Sequence, residues 1–285
     1  MTARATLLVC LTGCAATPLR LEYGRLPSAA MQGRSMEYGV YTPPSFGPGE
    51  TLPLMVFLHG GGGDDVRCLD EAGIPTLLDQ EIGAGRAPRA VIVVPEGDRG
   101  FWINWHDGSR RYEDWVLGEL LPVIEHAFHT APCPEGCHLA GISMGGNGAL
   151  RWALGHPETF SSVAILSGPI FDAGGMRSFA HSFPFRWVVP VARIFGPLSD
   201  ERLGRVDPFQ RWQSAADLGR TRLLLARGTE DRSGIIQTNE AFRIHLELHG
   251  IPHRYLVFPG GHRWADWRPL FPELLRFAME GKRGG

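Results

Sequence analysis

Gly141-Ile142-Ser143-Met144-Gly145, continued by Gly146, sets a serine in the G-x-S-x-G pattern. That spacing marks a strand-to-helix turn so tight that the serine is held in a strained backbone conformation. A serine hydroxyl is a poor nucleophile at neutral pH. It needs a base to take its proton and a third group to orient that base. Two downstream segments supply both, in the order acid then histidine. Arg227-Gly228-Thr229-Glu230-Asp231 follows an apolar run and offers two acids, of which Asp231 is favoured over Glu230. Phe258-Pro259-Gly260-Gly261-His262 follows the next apolar run, and its two glycines give the His262 ring freedom to reach the serine. His245, His249 and His253 lie on or beside an amphipathic stretch and are weaker rivals.

Attack by a serine on an acyl carbon creates an oxyanion, which backbone N–H donors stabilise. His59-Gly60-Gly61-Gly62-Gly63 fits one side of such a hole, with Gly61 or Gly62 as donor, and Met144 supplies the other N–H. A phosphate cradle would instead need Lys-Ser or Lys-Thr after the glycines. Here Asp64-Asp65 follows and would repel phosphate.

These groups must be carried on a common scaffold. Residues 54–58, 90–94, 163–166, 223–226 and 255–258 are short continuous apolar runs, as expected of strands buried on both faces. Residues 137–140 supply the strand before the serine, and residues 36–41 an earlier one that ends at Pro43-Pro44. Helical periods are expected over 69–80, 112–128 (strained at Pro122), 147–154, 236–249 and 267–279. This alternation predicts an α/β fold, with a mainly parallel central sheet and helices on both faces. The serine, the acid and the histidine then all fall at the carboxyl ends of strands, where open parallel sheets gather their functional groups. Residues 167–216, rich in aromatics, arginine, glycine and proline, break the rhythm and read as a small insertion over the active site.

The 285 residues are 44% hydrophobic and 20% charged, enough for one large core, and the formal charge of −2 gives no reason to expect nucleic acid as partner. Residues 1–13 read as a lipoprotein-type signal peptide: one arginine, a short apolar run over 5–11, then small residues. Leu11-Thr12-Gly13-Cys14 resembles the bacterial lipobox, which implies a lipid on Cys14 and a membrane anchor at the cell envelope. Residues 14–30 are then expected to be a tether, and 31–282 the folded domain. Export permits disulfides. Cys133 and Cys137 bracket a tight loop and form a candidate pair, with Cys68 left over or pairing with one of them. No histidine lies at ligand spacing from these cysteines, so no metal site is expected, and the chemistry requires no cofactor.

With these motifs assembled, the chain resembles the esterase D-like family of the α/β-hydrolase superfamily. The resemblance runs over residues 37–277. It rests on the His59–Gly63 loop, the Ser143 pentapeptide with Gly146, Asn104-Trp105-His106-Asp107-Gly108, and Gly260-Gly261-His262-Arg263-Trp264-Ala265-Asp266-Trp267. It implies Ser143 as nucleophile, His262 as base, Asp231 as acid, and a small-molecule or carbohydrate ester as substrate. Trp102, Trp105 and Trp264 are candidates to line the substrate pocket, against core packing as the commoner fate of tryptophan. Arg177, Arg186, Arg193 and Arg205 offer charge to an anionic substrate, against a simple solvated face. Two alternatives stand beside ester hydrolysis. One is an acyltransferase using the same three residues. The other is a catalytically silent binding protein on the same fold.

Overall fold

A computed structural model describes residues 21–61, 65–182 and 189–280. Eight strands form one sheet in the order β1-β2-β4-β3-β5-β6-β7-β8. The strands are β1 (Leu21–Ser28), β2 (Arg34–Tyr41), β3 (Leu54–Leu58), β4 (Val91–Pro95), β5 (Cys137–Ile142), β6 (Ser162–Leu166), β7 (Arg222–Gly228) and β8 (Arg254–Phe258). From β4 through β8 all pairings are parallel, while β1 and β2 join antiparallel at one edge.

The tether expectation is corrected here. Residues 21–28 are not a linker but β1, paired along its whole length with β2 from Leu21 opposite Tyr41 to Ser28 opposite Arg34. Its alternation is weak because most of its side chains are at least partly exposed, so the pattern in the sequence was too polar to announce a strand. Cys14 and the expected signal segment lie outside the described residues.

Successive side chains of a strand point to opposite faces. Leu54, Val56 and Leu58 of β3 therefore join one core cluster with Leu139, Val163, Ile165, Leu223 and Leu225, while Met55 and Phe57 join another with Ala140, Ile142, Ala164, Leu166 and Leu224. Helices on the first face include α5 (Met144–Gly155), through Ala149 and Trp152, α10 (Ser233–Leu248), through Phe242 and Leu246, and α4 (Leu121–Phe128), through Leu121 and Ile124. Helices on the second include α2 (Ile74–Gly83), with Ile74 and Leu78, and the closing helix Phe271–Met279, with Leu274 and Leu275. The parallel strands read as continuous apolar runs because both of their faces are covered.

Two expected helices are interrupted. The one over 69–80 splits into α1 (Cys68–Glu71) and α2 at Gly73, whose φ of +65° ends the first turn. The one over 112–128 runs as α3 (Tyr112–Asp114), a π-helical turn Trp115–Leu120, and α4 (Leu121–Phe128). Pro122 has no N–H and crowds the preceding carbonyls, and the widened turn accommodates it. Cys133 and Cys137 are joined in a disulfide, so Cys68 takes neither of them.

Between β6 and β7 the chain builds α6 (Ala173–His181), α7 (Val191–Phe195), α8 (Asp200–Gly204) and α9 (Pro208–Arg211). The insertion has its own small apolar cluster, in which Met176, Ile194, Phe195 and Leu203 close on Ile103.

The packing of the turn after β5 depends on two absent side chains. A Cβ on Gly145 would stand 1.9 Å from the Leu58 carbonyl oxygen, and one on Gly141 would stand 2.2 Å from the Gly145 oxygen. Gly145→Ala is expected to destabilise the protein by about 3 kcal/mol or more. Gly155→Ala, at the far end of the same helix, meets nothing within 4 Å and is expected to be neutral or slightly stabilising. Denaturant midpoints of the two variants check the contrast.

Candidate active site

Ser143 follows directly on β5 and caps α5 with φ +53° and ψ −118°. A non-glycine residue there costs about 1–3 kcal/mol and persists only when its surroundings hold it. The Ser143 N–H donates to the Leu166 carbonyl at 2.9 Å, and its carbonyl accepts from Asn147 N at 3.1 Å. The turn is thus tied to β6 on one side and to the first turn of α5 on the other.

Asp231 and His262 come to Ser143 from the ends of β7 and β8. His262 Nε2 lies 2.8 Å from Ser143 Oγ, and His262 Nδ1 lies 2.8 Å from Asp231 Oδ1. The two loops are stitched together by Glu230 N donating to the Gly260 carbonyl at 2.7 Å and Thr229 N donating to the Phe258 carbonyl at 2.8 Å. The Asp231 side chain is fully buried, whereas Glu230 is exposed, which settles which acid meets the histidine. With Nδ1–H donating to a carboxylate, Nε2 is left as the acceptor facing the serine hydroxyl. This geometry can take a proton from Ser143 and return it elsewhere.

Burial alone would push the Asp231 carboxyl upward in pKa. Hydrogen bonds from His262, Ser167 and the Arg232 backbone outweigh it and hold the group below the ordinary aspartate range. The Arg232 N–H lies 2.8 Å from Oδ1. Because the folded pKa is depressed, this carboxylate's contribution to stability is complete above the unfolded aspartate value. It is lost as pH falls through the lowered one.

Ser167 was not singled out from sequence. It lies just past β6, fully buried, with φ +47°. Its hydroxyl donates to Asp231 and accepts from Trp267 Nε1 at 3.0 Å. The Trp267 ring also stands edge-on to His262, centroids 4.8 Å apart. A lone serine after an apolar run carries no sequence signal, because its partners lie far along the chain. Asp266 holds the histidine loop from the other side, accepting from Gly261 N at 3.0 Å and pairing with Arg263.

On the oxyanion side, Met144 is the first residue of α5, where helix N–H groups have no intrahelical partner. Gly61 lies against it, since a Cβ on Gly61 would come within 3.2 Å of Met144 Sδ. Gly62 lies outside the described residues. The glycine loop hangs from the buried His59. Gly97 N donates to His59 Nε2 at 3.2 Å, so that nitrogen is unprotonated and Nδ1–H donates to the Gly60 carbonyl at 2.8 Å.

The pocket expectation is corrected for Trp102. Trp102 is fully buried in the core, its Nε1 donating to the His59 carbonyl at 3.1 Å. Trp105 packs on Tyr112 between the guanidinium groups of Arg110 and Arg193. Trp264 packs with Phe57, Trp267 and Phe271. Trp105 and Trp264 keep partial exposure, and the insertion walls two cavities beside α5. Of the insertion arginines, Arg177 pairs with Asp200, Arg193 with Asp107 and Arg205 with Glu201, while Arg186 lies outside the described residues.

Ser167→Ala is expected to slow covalent labelling of Ser143 by a fluorophosphonate by about tenfold or more, since a hydrogen bond to a charged group is lost. It is also expected to lower stability by about 1–3 kcal/mol by orphaning the buried Trp267 N–H. Labelling kinetics and a denaturant titration on the same variant measure both.

Comparison with known proteins bears on the fold and the family. Esterase Rv1288 of Mycobacterium tuberculosis (strain ATCC 25618 / H37Rv) is 29% identical over 283 residues, covering 92% of this chain and 58% of the relative, so the chain spans little more than half of that protein's length. Among solved structures, the Staphylococcus aureus fluorophosphonate-binding serine hydrolase FphF superposes with a TM-score of 0.75 at 21% identity, covering 91% of this chain and 98% of that one. An S-formylglutathione hydrolase from Agrobacterium tumefaciens gives a TM-score of 0.72 at 19% identity, covering 95% and 98%. These likenesses establish the α/β-hydrolase fold. The family described as "Putative esterase" matches residues 28–278, and the chain belongs to that family.

Proposed function

We propose that the protein is a serine carboxylic-ester hydrolase that works through an acyl-enzyme on Ser143, acting on a small-molecule or carbohydrate ester. The observation that carries this reading is the unbroken relay from Asp231 through His262 to Ser143, each step 2.8 Å, ending on a strained serine. The esterase names of the curated relatives support it.

In this mechanism His262 Nε2 takes the Ser143 proton as Oγ bonds to the acyl carbon. The carbonyl oxygen becomes an oxyanion and receives hydrogen bonds from the backbone N–H groups of Met144 and Gly61. Asp231 stabilises the imidazolium without itself taking the proton. His262 then protonates the leaving alcohol oxygen as the C–O bond breaks. Water follows the same path: His262 removes its proton, the acyl–Oγ bond breaks, and the proton returns to Ser143. No step in this sequence calls for a cofactor.

We propose further that the chain is exported and anchored by a lipid on Cys14. The support is the sequence of residues 1–14. In the described residues no helix is long and apolar enough to cross a membrane.

Ser143→Ala is expected to lower turnover of p-nitrophenyl acetate by about 10⁴-fold or more; full activity in that variant would refute the mechanism. His262→Ala should abolish labelling by a fluorophosphonate probe. Product analysis with a sugar acceptor present is expected to show mainly free acid, whereas mainly acylated sugar would reassign the enzyme as a transferase. For the anchor, metabolic labelling with palmitate is expected in the native chain and absent in Cys14→Ser.

A further inference from the structure

A cavity of about 250 Å³ lies beneath the insertion. Ile103, Met176, Ile194, Phe195 and Leu203 give it an apolar wall, and Arg151, Arg202, Arg205 and Glu113 supply its charged groups. A tighter space of about 10 Å³ adjoins it, sharing Arg151, Met176 and Leu203, and extends to Asn147; Asp172 and Asp207 also line it, each occupied by hydrogen bonds within the insertion. Ser143, Asn147 and Arg151 are spaced by four residues and so stack along one face of α5. At 1.5 Å rise per residue, Arg151 stands roughly 12 Å along the helix from the serine. The tighter space thus begins at Asn147, one helical turn beyond Ser143.

The charge balance of this space is incomplete. The neighbouring insertion arginines Arg177, Arg193 and Arg205 each hold a carboxylate. Among the described residues, Arg151 has no hydrogen bond or ion pair of its own, and Glu113 acts on it only through the field. Glu113 is engaged elsewhere, 2.5 Å from His156 Nε2. Burial pulls the Arg151 guanidinium down to about 10, which leaves it a cation at neutral pH. Arg151 is partly accessible from the cavity, so its guanidinium can give a charge-assisted hydrogen bond to an anion that enters.

We propose that this cavity is a subsite for the acyl part of the substrate, with Arg151 as counter-ion to an anionic group, a carboxylate above all, at the far end of an apolar chain. The proposal rests on Ser143 being the nucleophile. The chain lies along α5 past Asn147 against the apolar wall. Met176 and Leu203, which border the tight passage, move aside to admit it; the unbranched Met176 is suited to such repacking.

The test compares p-nitrophenyl octanoate with the p-nitrophenyl monoester of suberic acid, which has the same chain length and a terminal carboxylate. In the native protein kcat/KM is expected to favour the suberate monoester by about tenfold or more. Arg151→Met is expected to reverse that preference by about tenfold to a hundredfold, the scale of one charge-assisted hydrogen bond, with Arg151→Lys retaining part of it. Circular dichroism and a thermal melt establish that each variant folds. Free suberate should also inhibit acetate ester turnover by the native protein more strongly than octanoate, an arm that needs no variant. An equal ester ratio in native and Arg151→Met protein, or equal inhibition by the two acids, would overturn the subsite. Failure of the native protein to hydrolyse any ester or to take a fluorophosphonate would instead overturn the reading of Ser143.

Discussion

The structure depends on the backbone of one residue. Ser143 sits at φ +53° because the chain must leave β5 and enter α5 without an intervening loop. That turn is possible only where Gly141 and Gly145 let main chain approach main chain, with Leu58 and His59 pressed against the helix start. The strain is held by interactions on every side: Ser143 N on the Leu166 carbonyl, α5 packed on β3, β5 and β6, and the first helical hydrogen bond from Asn147. In return the hydroxyl projects at the edge of the sheet and the Met144 N–H at the helix start is left without an intrahelical partner. The Ser143 hydroxyl and the Met144 N–H are thus products of the same turn.

The other members of the site are positioned by the sheet. Parallel pairing of β6, β7 and β8 brings the ends of these strands side by side, so Ser167, Asp231 and His262 arrive at one edge from widely separated stretches of chain. The carboxylate is buried, and a lone buried carboxylate would be driven to take up a proton. Hydrogen bonds from Ser167, His262 and the Arg232 backbone keep it charged. Trp267 fixes the Ser167 hydroxyl and borders the imidazole, so the short helical turn Trp264–Trp267 braces both Asp231 and His262.

The insertion does different work. It contributes none of the Ser143, Asp231 and His262 constellation, yet it supplies most of the wall of the cavities beside α5. Its short helices are held by a small apolar cluster and by ion pairs with partly exposed partners, which contribute little each. A catalytic frame built on a rigid sheet, under a cover held by weaker contacts, allows the cover to differ while the chemistry stays in place.

The sequence by itself determined the serine, the histidine and the parallel core. Each is announced by local pattern: glycines at a turn that tolerates nothing else, and apolar runs that only a doubly covered sheet can bury. It also narrowed the acid to two neighbours, and only burial separated Asp231 from Glu230. Tertiary structure decided what depends on partners distant in the chain. The weakly alternating segment 21–28 became a strand because β2 offered it an edge. Trp102 went to the core, where its indole N–H meets the His59 carbonyl. Ser167 and Arg151 have no signature in composition or spacing. One acquires its role from a carboxylate and an indole that fold against it, and the other from the insertion that encloses it, because burial and hydrogen bonding are properties of the assembled fold.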